Sequence, residues 1–405
     1  MSSEDPKFES RKKDHIVQSL NEHNQVGLSP SDEIRLFHKA MPEINFEDIS
    51  LKTKIFSKEM SSSKTKSTAG QSIELSSPIF VSSMTAGHEQ GEKINYNLAK
   101  ACAEKNWLFA VGSQRKQLAD SKKNLEWAQI LKDFPKLNTV GNLGLAQLIS
   151  HGPDKALKLV ESLKAKALFI HCNPLQEVLQ AEGTPQFKNG FKVLKELCEL
   201  SPVPIILKET GCGFDKGTLK KLSLIKKLYA VDVSGFGGTH WGRIEGQRNL
   251  ATSALDSDTS SRINNNGKNK KTKNNLRIEQ LNLDDAESKI SNLDKFILAS
   301  QTYAFWGIST AESLSYCAEI LNKPNAKTKY WASGGIRSGL DVVTCLSMGA
   351  EMVGVAQPIL KHVLEGYDSL IQYMDLLEFE TKIGLFCTGN IDINSCHKDA
   401  RWEWK

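Results

Sequence analysis

The sequence predicts an α/β fold, a (β/α)8 TIM barrel with an N-terminal extension and a low-complexity insertion after strand six. Three observations carry this. Eight short apolar runs recur from residue 78 onward without clean alternation, as strands of a parallel sheet covered on both faces would read. Each run is followed by an amphipathic helical segment or by a stretch that reaches one. Each run also ends in small or polar residues, and in a barrel those ends share one face, where active sites sit. A doubly wound open sheet is the alternative topology. No GxGxxG follows the first run, which weighs against its dinucleotide-binding version.

Residues 1–77 form the extension. Residues 1–10 read as disordered. In RKKDHIVQSL (11–20), Ile16, Val17 and Leu20 lie at helical spacing. Arg11, Lys12 and Lys13 read first as a solvated basic helix start, but cations there oppose the helix dipole, which permits an anion-binding role. In LSPSDEIRLFH, Ser29 or Ser31 can cap a short helix. KEMSSSKTKSTAGQS (58–72) is rich in Ser, Thr and Lys and reads as a mobile loop.

The barrel is placed at 78–390. PIFVSSMTAG (78–87) precedes helical EKINYNLAKACAEKN (92–106), and LFAVGSQR (108–115) precedes LEWAQILKDF. NTVGNLGL (138–145) leads to DKALKLVESLKA, ALFIHCNP to FKVLKELCEL, and VPIILKETG (203–211) to LKKLSLIKK. YAVDVSGFGG (229–238) is the sixth run. KYWASGGIR (329–337) is reached through STAESLSYCAEIL and precedes LDVVTCLSMG. EMVGVAQPIL (351–360) precedes a long helical stretch from about 362. The break at 250–290 contains RINNNGKNKKTKNNLR, which cannot bury enough surface to offset its ordering entropy. It reads as a disordered insertion; a basic interaction tail is the sharper alternative. Residues 391–405 read as a C-terminal tail.

Composition narrows the class. Apolar residues make up 40% of the chain, enough for a sizeable core. No run approaches the roughly 18 apolar residues of a membrane span. MSSEDPKFESRKKDH lacks an apolar core, so no secretory leader is expected. The eight cysteines form no CxxC pair and sit mostly among apolar neighbours, as in a reduced cytoplasmic protein. The six Lys and Arg of 262–277 exceed the net charge of +5, so without them the chain is at −1. The basic excess is local, and nucleic acid is not an expected partner.

The strand ends supply the chemistry. They carry Ser83-Met84-Thr85-Ala86-Gly87, Gly112-Ser113-Gln114-Arg115, Gly141-Asn142, then His171, Asn173, Gln176 and Glu177. Strands five to eight carry Lys208 and Glu209, Ser234 to Thr239, Ser333-Gly334-Gly335-Ile336-Arg337, and Gly354 with Ala356-Gln357. SGGIR leads into a helix, where backbone N–H groups and the helix dipole can hold a phosphate. Lys208 ends an apolar strand and needs an anion or an electron-rich ring to accept it. Glu177 is a candidate for Mg²⁺, which is commonly held by one carboxylate with phosphates and water. A salt bridge to Arg115 or Lys208 is its plainer reading.

On RKKDH, SMTAG, VGSQR, GNLG, HCNPLQE, LKETGCG, DVSGFGGTHWGRIEGQR, FWGIST, ASGGIRSGLDV and GVAQP, the sequence resembles the type 2, FMN-dependent isopentenyl-diphosphate isomerases. The likeness runs over about 11–249 and 300–390. It implies interconversion of isopentenyl and dimethylallyl diphosphate, within isoprenoid biosynthesis. FMN would then meet Met84, Thr85, Ala86, Ser113, Asn142, Lys208, Ser234, Thr239, Gly334, Gly335, Ile336, Arg337, Ala356 and Gln357. The diphosphate would meet Arg11, Lys12, Arg115 and His171, with Ser113, Gln114 and Gln176 also on the substrate. His171, Asn173 and Gln176 would be catalytic, Asn173 and Gln176 facing the isoprenoid carbons, and Glu177 would hold Mg²⁺. The resemblance further implies reduced flavin generated with NADPH, and a homo-oligomer, tetrameric or octameric. Ala86 departs from the family's usual Gly, and the segments 58–72 and 250–290 lengthen the chain.

The chemistry agrees. Shifting an unactivated double bond adds a proton at one carbon and removes one at another. Few ionisable groups fall near the expected isoprenoid site, so reduced flavin is the expected acid/base, Gln176 orients or relays, and Lys208 steadies an anionic reduced ring. The rival flavin barrels oxidise 2-hydroxy acids with a His base and an Arg near strand six, whereas here Thr239-His240-Trp241 follows the glycines. A barrel without activity, binding a partner through its basic insertion, is the non-enzymatic alternative.

Overall fold

The computed structural model describes residues 15–56, 72–84, 91–120, 124–180, 183–248, 292–322 and 327–405. The 58–72 loop lies almost wholly outside the described residues, and residues 1–10 and the 250–290 insertion wholly so.

Eight parallel strands follow the eight apolar runs. They are β1 (Ile79–Val81), β2 (Leu108–Ala110), β3 (Asn138–Gly144), β4 (Ala167–Cys172), β5 (Ile205–Glu209), β6 (Leu228–Asp232), β7 (Lys329–Trp331) and β8 (Val353–Val355). Sequential neighbours pair from β1 through β7, and β8 pairs with β1. An Ala332–Val353 bridge joins β7 to β8, with Gly354 N donating to Ala332 O at 2.7 Å. The ring is therefore closed, and the open doubly wound alternative is excluded.

The strands are buried on both sides, which explains the missing alternation. One face forms the barrel interior: Phe80, Leu108, Ala110, Val140, Ala167, Phe169, Ile206, Ala230, Trp331 and Met352. The other face packs against an outer ring of helices. These are α1 (Gly91–Lys105), α2 (Leu125–Asp133), α3 (Pro153–Leu163), α4 (Gly190–Leu200), α5 (Lys216–Leu222), α6 (Thr310–Leu321), α7 (Gly339–Ser347) and α8 (Gln357–Glu365). The expected helix over LKKLSLIKK stops at Leu222. The long stretch from 362 is broken at Gly366, whose φ of +145° suits only glycine, before α9 (Tyr367–Thr388) begins.

Additions close both ends of the barrel. The antiparallel pair Thr53–Ile55 and Ile73–Leu75 plugs the N-terminal mouth, where Phe56 N donates to Tyr229 Oη. Tyr229 Oη and Trp331 Nε1 both donate to the carboxylate of half-buried Glu351. Ser29 caps the helix Pro30–Glu33, and Ile34–Leu36 pairs antiparallel with Trp402–Trp404, so the C-terminal tail is tied to the N-terminal extension. Helices at 15–20 and 241–248 lie over the opposite mouth. The latter packs against Asn292–Thr302, where Gly246 meets Ser300 so closely that any Cβ would collide. The helix at 15–20 follows the helical spacing of Ile16, Val17 and Leu20, whereas 241–248, Asn292–Thr302, Leu145–His151 and Pro174–Leu179 were not anticipated from the sequence.

Trp331 is fully buried and its ring meets Phe56, Phe80, Phe169 and Tyr229. Trp331→Ala is expected to destabilise the protein by roughly 3–5 kcal/mol. Urea unfolding measures this, and an unchanged midpoint would contradict a packed barrel interior.

Candidate active site

The period-two geometry of a strand sends the same face of each strand from the core into the site. Two residues beyond Phe80, Ala110, Val140, Phe169, Ile206, Ala230 and Trp331 stand Ser82, Gly112, Asn142, His171, Lys208, Asp232 and Ser333. The interior changes from apolar to polar in one layer. Above that layer opens a cavity of about 240 Å³.

The cavity brings together most of the expected residues. Met84, Ser113, Asn142, Lys208, Ser234, Thr239, Gly334, Gly335, Ile336, Arg337, Ala356 and Gln357 line it, as do Arg115, His171, Gln176 and Glu177. Arg11, Lys12, Thr85 and Ala86 lie outside the described residues. Gln114 and Asn173 do not line it. Gln114 is buried, and its Oε1 accepts from Asn142 N at 3.0 Å. Asn173 caps the helix Pro174–Leu179, accepting from Gln176 N at 2.9 Å and donating to Thr210 O at 3.2 Å. Each holds a neighbour in place: Gln114 Oε1 and both ends of the Asn173 amide satisfy backbone that the strand ends leave unpaired, while Gln114 Nε2 has no partner among the described residues.

The loops after β6 and β7 meet backbone to backbone. A Cβ on Gly238 would lie 2.6 Å from Gly335 N, and one on Gly335 would lie 2.7 Å from Gly237 O. Gly334 and Gly335 hold φ of +90° and +76°. Among the described residues nothing accepts the amides of Gly335 and Ile336. The amides of Arg337 and Ser338, by contrast, are taken by Asp341 Oδ2 at 2.9 and 3.1 Å as it caps α7. The free amides therefore lie in the turn before the helix and not at the helix N-terminus itself. The buried hydroxyls of Ser83 and Thr210 also line the cavity without a partner among the described residues. Free amides, orphaned hydroxyls and a lysine fit a polar, phosphate-bearing cofactor such as FMN.

Lys208 has its anion inside the chain. Its Nζ donates to Asp232 Oδ2 at 2.6 Å and to Ser333 Oγ at 2.7 Å. Asp232 escaped the sequence reading, although a carboxylate within YAVDV was the available signal. His171 Nδ1 lies 2.8 Å from Asn142 Oδ1. Glu177 forms no ion pair with Arg115 or Lys208 among the described residues; its Oε2 accepts from Thr184 N at 2.7 Å. No group of three or more His, Cys, Asp or Glu among the described residues could hold a metal alone.

A second buried carboxylate organises another part of the cavity wall. Glu245, on the helix 241–248, accepts from Gln176 Nε2 at 3.0 Å and meets His15 Nε2 at 3.0 Å, while Arg248 pairs with its other oxygen. Burial pushes this carboxyl up, but His15, Arg248 and Gln176 outweigh it and hold it below the usual range. His15 also lines the cavity, edge-on to Trp241. Neither Glu245 nor His15 stood out in the sequence, since both need the two distant helices to be brought together. His240 does not join them. It is buried, it does not line the cavity, its Nε2 meets Trp306 O at 3.1 Å, and Arg243 N donates to its Nδ1.

Comparison with known proteins bears on this site. Residues 307–403 match the family model of FMN-dependent dehydrogenases. The chain is 41% identical over 393 residues to an isopentenyl-diphosphate delta-isomerase of Bdellovibrio bacteriovorus, covering 96% of each. It is 36% identical over 401 residues to one of Legionella pneumophila, covering 99% of each. Similar solved structures include a mandelate oxidase mutant with a monooxide FMN adduct (TM-score 0.55, 11% identity, 98% and 96% coverage). A flavocytochrome b2 double mutant with sulfite bound matches at TM-score 0.58 and 15% identity, covering 96% of this chain and 82% of that one. At such identities the structural matches speak for the fold alone.

Glu209, at the end of β5, is buried, and burial raises its carboxyl from 4.5 to about 8 despite amide bonds from Thr210 and Cys212. A raised carboxyl contributes stability that is complete below pH about 4.5 and lost as pH rises through about 8. The wild-type melting temperature should therefore fall over that window, and Glu209→Gln should flatten the fall. Parallel pH profiles of the two proteins test this.

Proposed function

Because this chain belongs to the type 2, FMN-dependent isopentenyl-diphosphate delta-isomerases, we propose that the cavity over the barrel mouth is where isopentenyl and dimethylallyl diphosphate interconvert. The observation that carries this is the pinned amide of Gln176. It lines the cavity and donates to a buried, charged Glu245, opposite a glycine cradle fit for a flavin phosphate.

Allylic transposition needs a proton delivered to one alkene carbon and another removed. Bound reduced FMN, regenerated with NADPH, supplies that acid and base chemistry. The chain's residues then position and shield. Gly334, Gly335, Ile336 and Arg337 would hold the flavin phosphate, and Met84, Ser113, Asn142 and Lys208 would also hold the cofactor. Arg115 and His171 meet the diphosphate, together with Arg11 and Lys12 of the extension. Asn142, at 2.8 Å, fixes the His171 ring, so its outer nitrogen can face the anion. Gln176 is too weak an acid to act alone; held by Glu245, it orients the alkene.

Glu177 is the ligand we assign to Mg²⁺. Thr184 N fixes one of its oxygens, and a single carboxylate suits a cation otherwise bound by diphosphate and water. The main rival, oxidation of a 2-hydroxy acid, needs a His base and an Arg near strand six; His240, the histidine of that loop, does not line the cavity and is bonded to Trp306 O and Arg243 N.

The deciding assay is anaerobic incubation of isopentenyl diphosphate with the protein, FMN, NADPH and Mg²⁺. Formation of dimethylallyl diphosphate, abolished by EDTA, is expected; no isomerisation, with 2-hydroxy-acid oxidation in its place, would sink the proposal. Gln176→Ala should lower kcat by about 10²-fold or more while leaving FMN affinity nearly unchanged. Near-normal turnover in that variant would remove Gln176 from the substrate side.

A further inference from the structure

We propose that Asp232 is the charge-balancing residue of the flavin site: as the internal counter-ion of Lys208, it limits how strongly the site favours reduced over oxidised FMN. This rests on the reading that FMN occupies the cavity.

The geometry is a closed triangle. Lys208 and Asp232 are register partners on the neighbouring strands β5 and β6, and their side chains meet inside the barrel. Ser333, just beyond β7, accepts from Lys208 Nζ at 2.7 Å and donates to Asp232 Oδ1 at 2.7 Å. The side chains of Lys208 and Asp232 are 4% and 0% exposed. Lys208 and Ser333 line the cavity, whereas Asp232 does not. From the cavity the pair is therefore a dipole with its positive end forward, not a free positive charge.

A purely structural purpose is a poor account of such a pair. Burying two ions costs solvation that their attraction only partly returns, and apolar residues would pack the same space as well. Charge at this place has an electrostatic effect instead, because the surroundings screen it little. An anionic reduced flavin carries one more negative charge on its ring than the oxidised form. A bare ammonium beside that ring would bias the site toward reduced FMN, and the carboxylate behind it weakens that bias. Asp232 touches neither cofactor nor substrate and acts through Lys208, so its role is positioning.

The test measures dissociation constants of oxidised and of reduced FMN anaerobically, for wild type and variants, without turnover. Asp232→Asn keeps the shape and removes the charge. It should shift the ratio toward reduced FMN by about tenfold or more, equivalent to about 30 mV for a two-electron couple. Lys208→Gln should shift it the other way, and adding Asp232→Asn to Lys208→Gln should bring it back toward wild type. An unchanged ratio in Asp232→Asn, or a shift toward oxidised FMN, overturns the proposal. If Asp232→Asn alone does not fold, equal ratios in Lys208→Gln and in the double variant overturn it. Failure of the wild-type protein to bind FMN would instead strike the cofactor reading, and this inference with it.

Discussion

Closure of the parallel sheet is the constraint on which everything else depends. Once β8 pairs with β1 and bridges β7, one side chain in two on every strand must point at the barrel axis. There is room for those side chains only if they interlock, and Phe80, Phe169, Ile206 and Trp331 do so. One step further along each strand, the same geometry obliges the chain to present Asn142, His171, Lys208, Asp232 and Ser333 to each other. Polar groups at that depth must satisfy one another, and the short contacts among them follow. The site is the next layer of the core, written in polar residues.

A second consequence concerns the segments outside the barrel. The helix at 15–20 contributes His15, and Val26 N and His240 N exchange bonds with Gly238 O and Asn24 O. Farther along, Ser31 N bonds Asp341 Oδ1 beside the Gly334-Gly335 turn, and Lys405 Nζ reaches Ser31 O. The extension and the C-terminal strand are therefore tied to the loops that form the site.

Much of this was legible in the residues. The eight strands coincide with the eight apolar runs because a strand buried on both faces leaves a continuous hydrophobic signature. The site residues at strand ends were legible because small and polar types interrupt that signature abruptly, as at LFIHCN. The networks behind them were not. Asp232 looks like any strand-end carboxylate until register sets it beside Lys208. Glu245 sits in a glycine-containing stretch, WGRIEGQR, with weak helical signal, and two of its three partners come from 69 and 230 residues away. Gln114 and Asn173 have residue types that suit ligand contact, yet neither lines the cavity, and backbone nearby engages Gln114 Oε1 and the Asn173 amide.

The contact between Gly246 and Ser300 has a consequence for how the gene can vary. It clamps the helix 241–248 to Asn292–Thr302, so the points where the chain leaves and re-enters this region are set by packing between the two helices and not by what connects them. A side chain added at position 246 would overlap Ser300 Cβ and push the two helices apart. Glu245 is the adjacent residue, so a single methyl group there would also displace the carboxylate that Gln176 and His15 meet, and a change with no polar chemistry of its own would be felt inside the cavity.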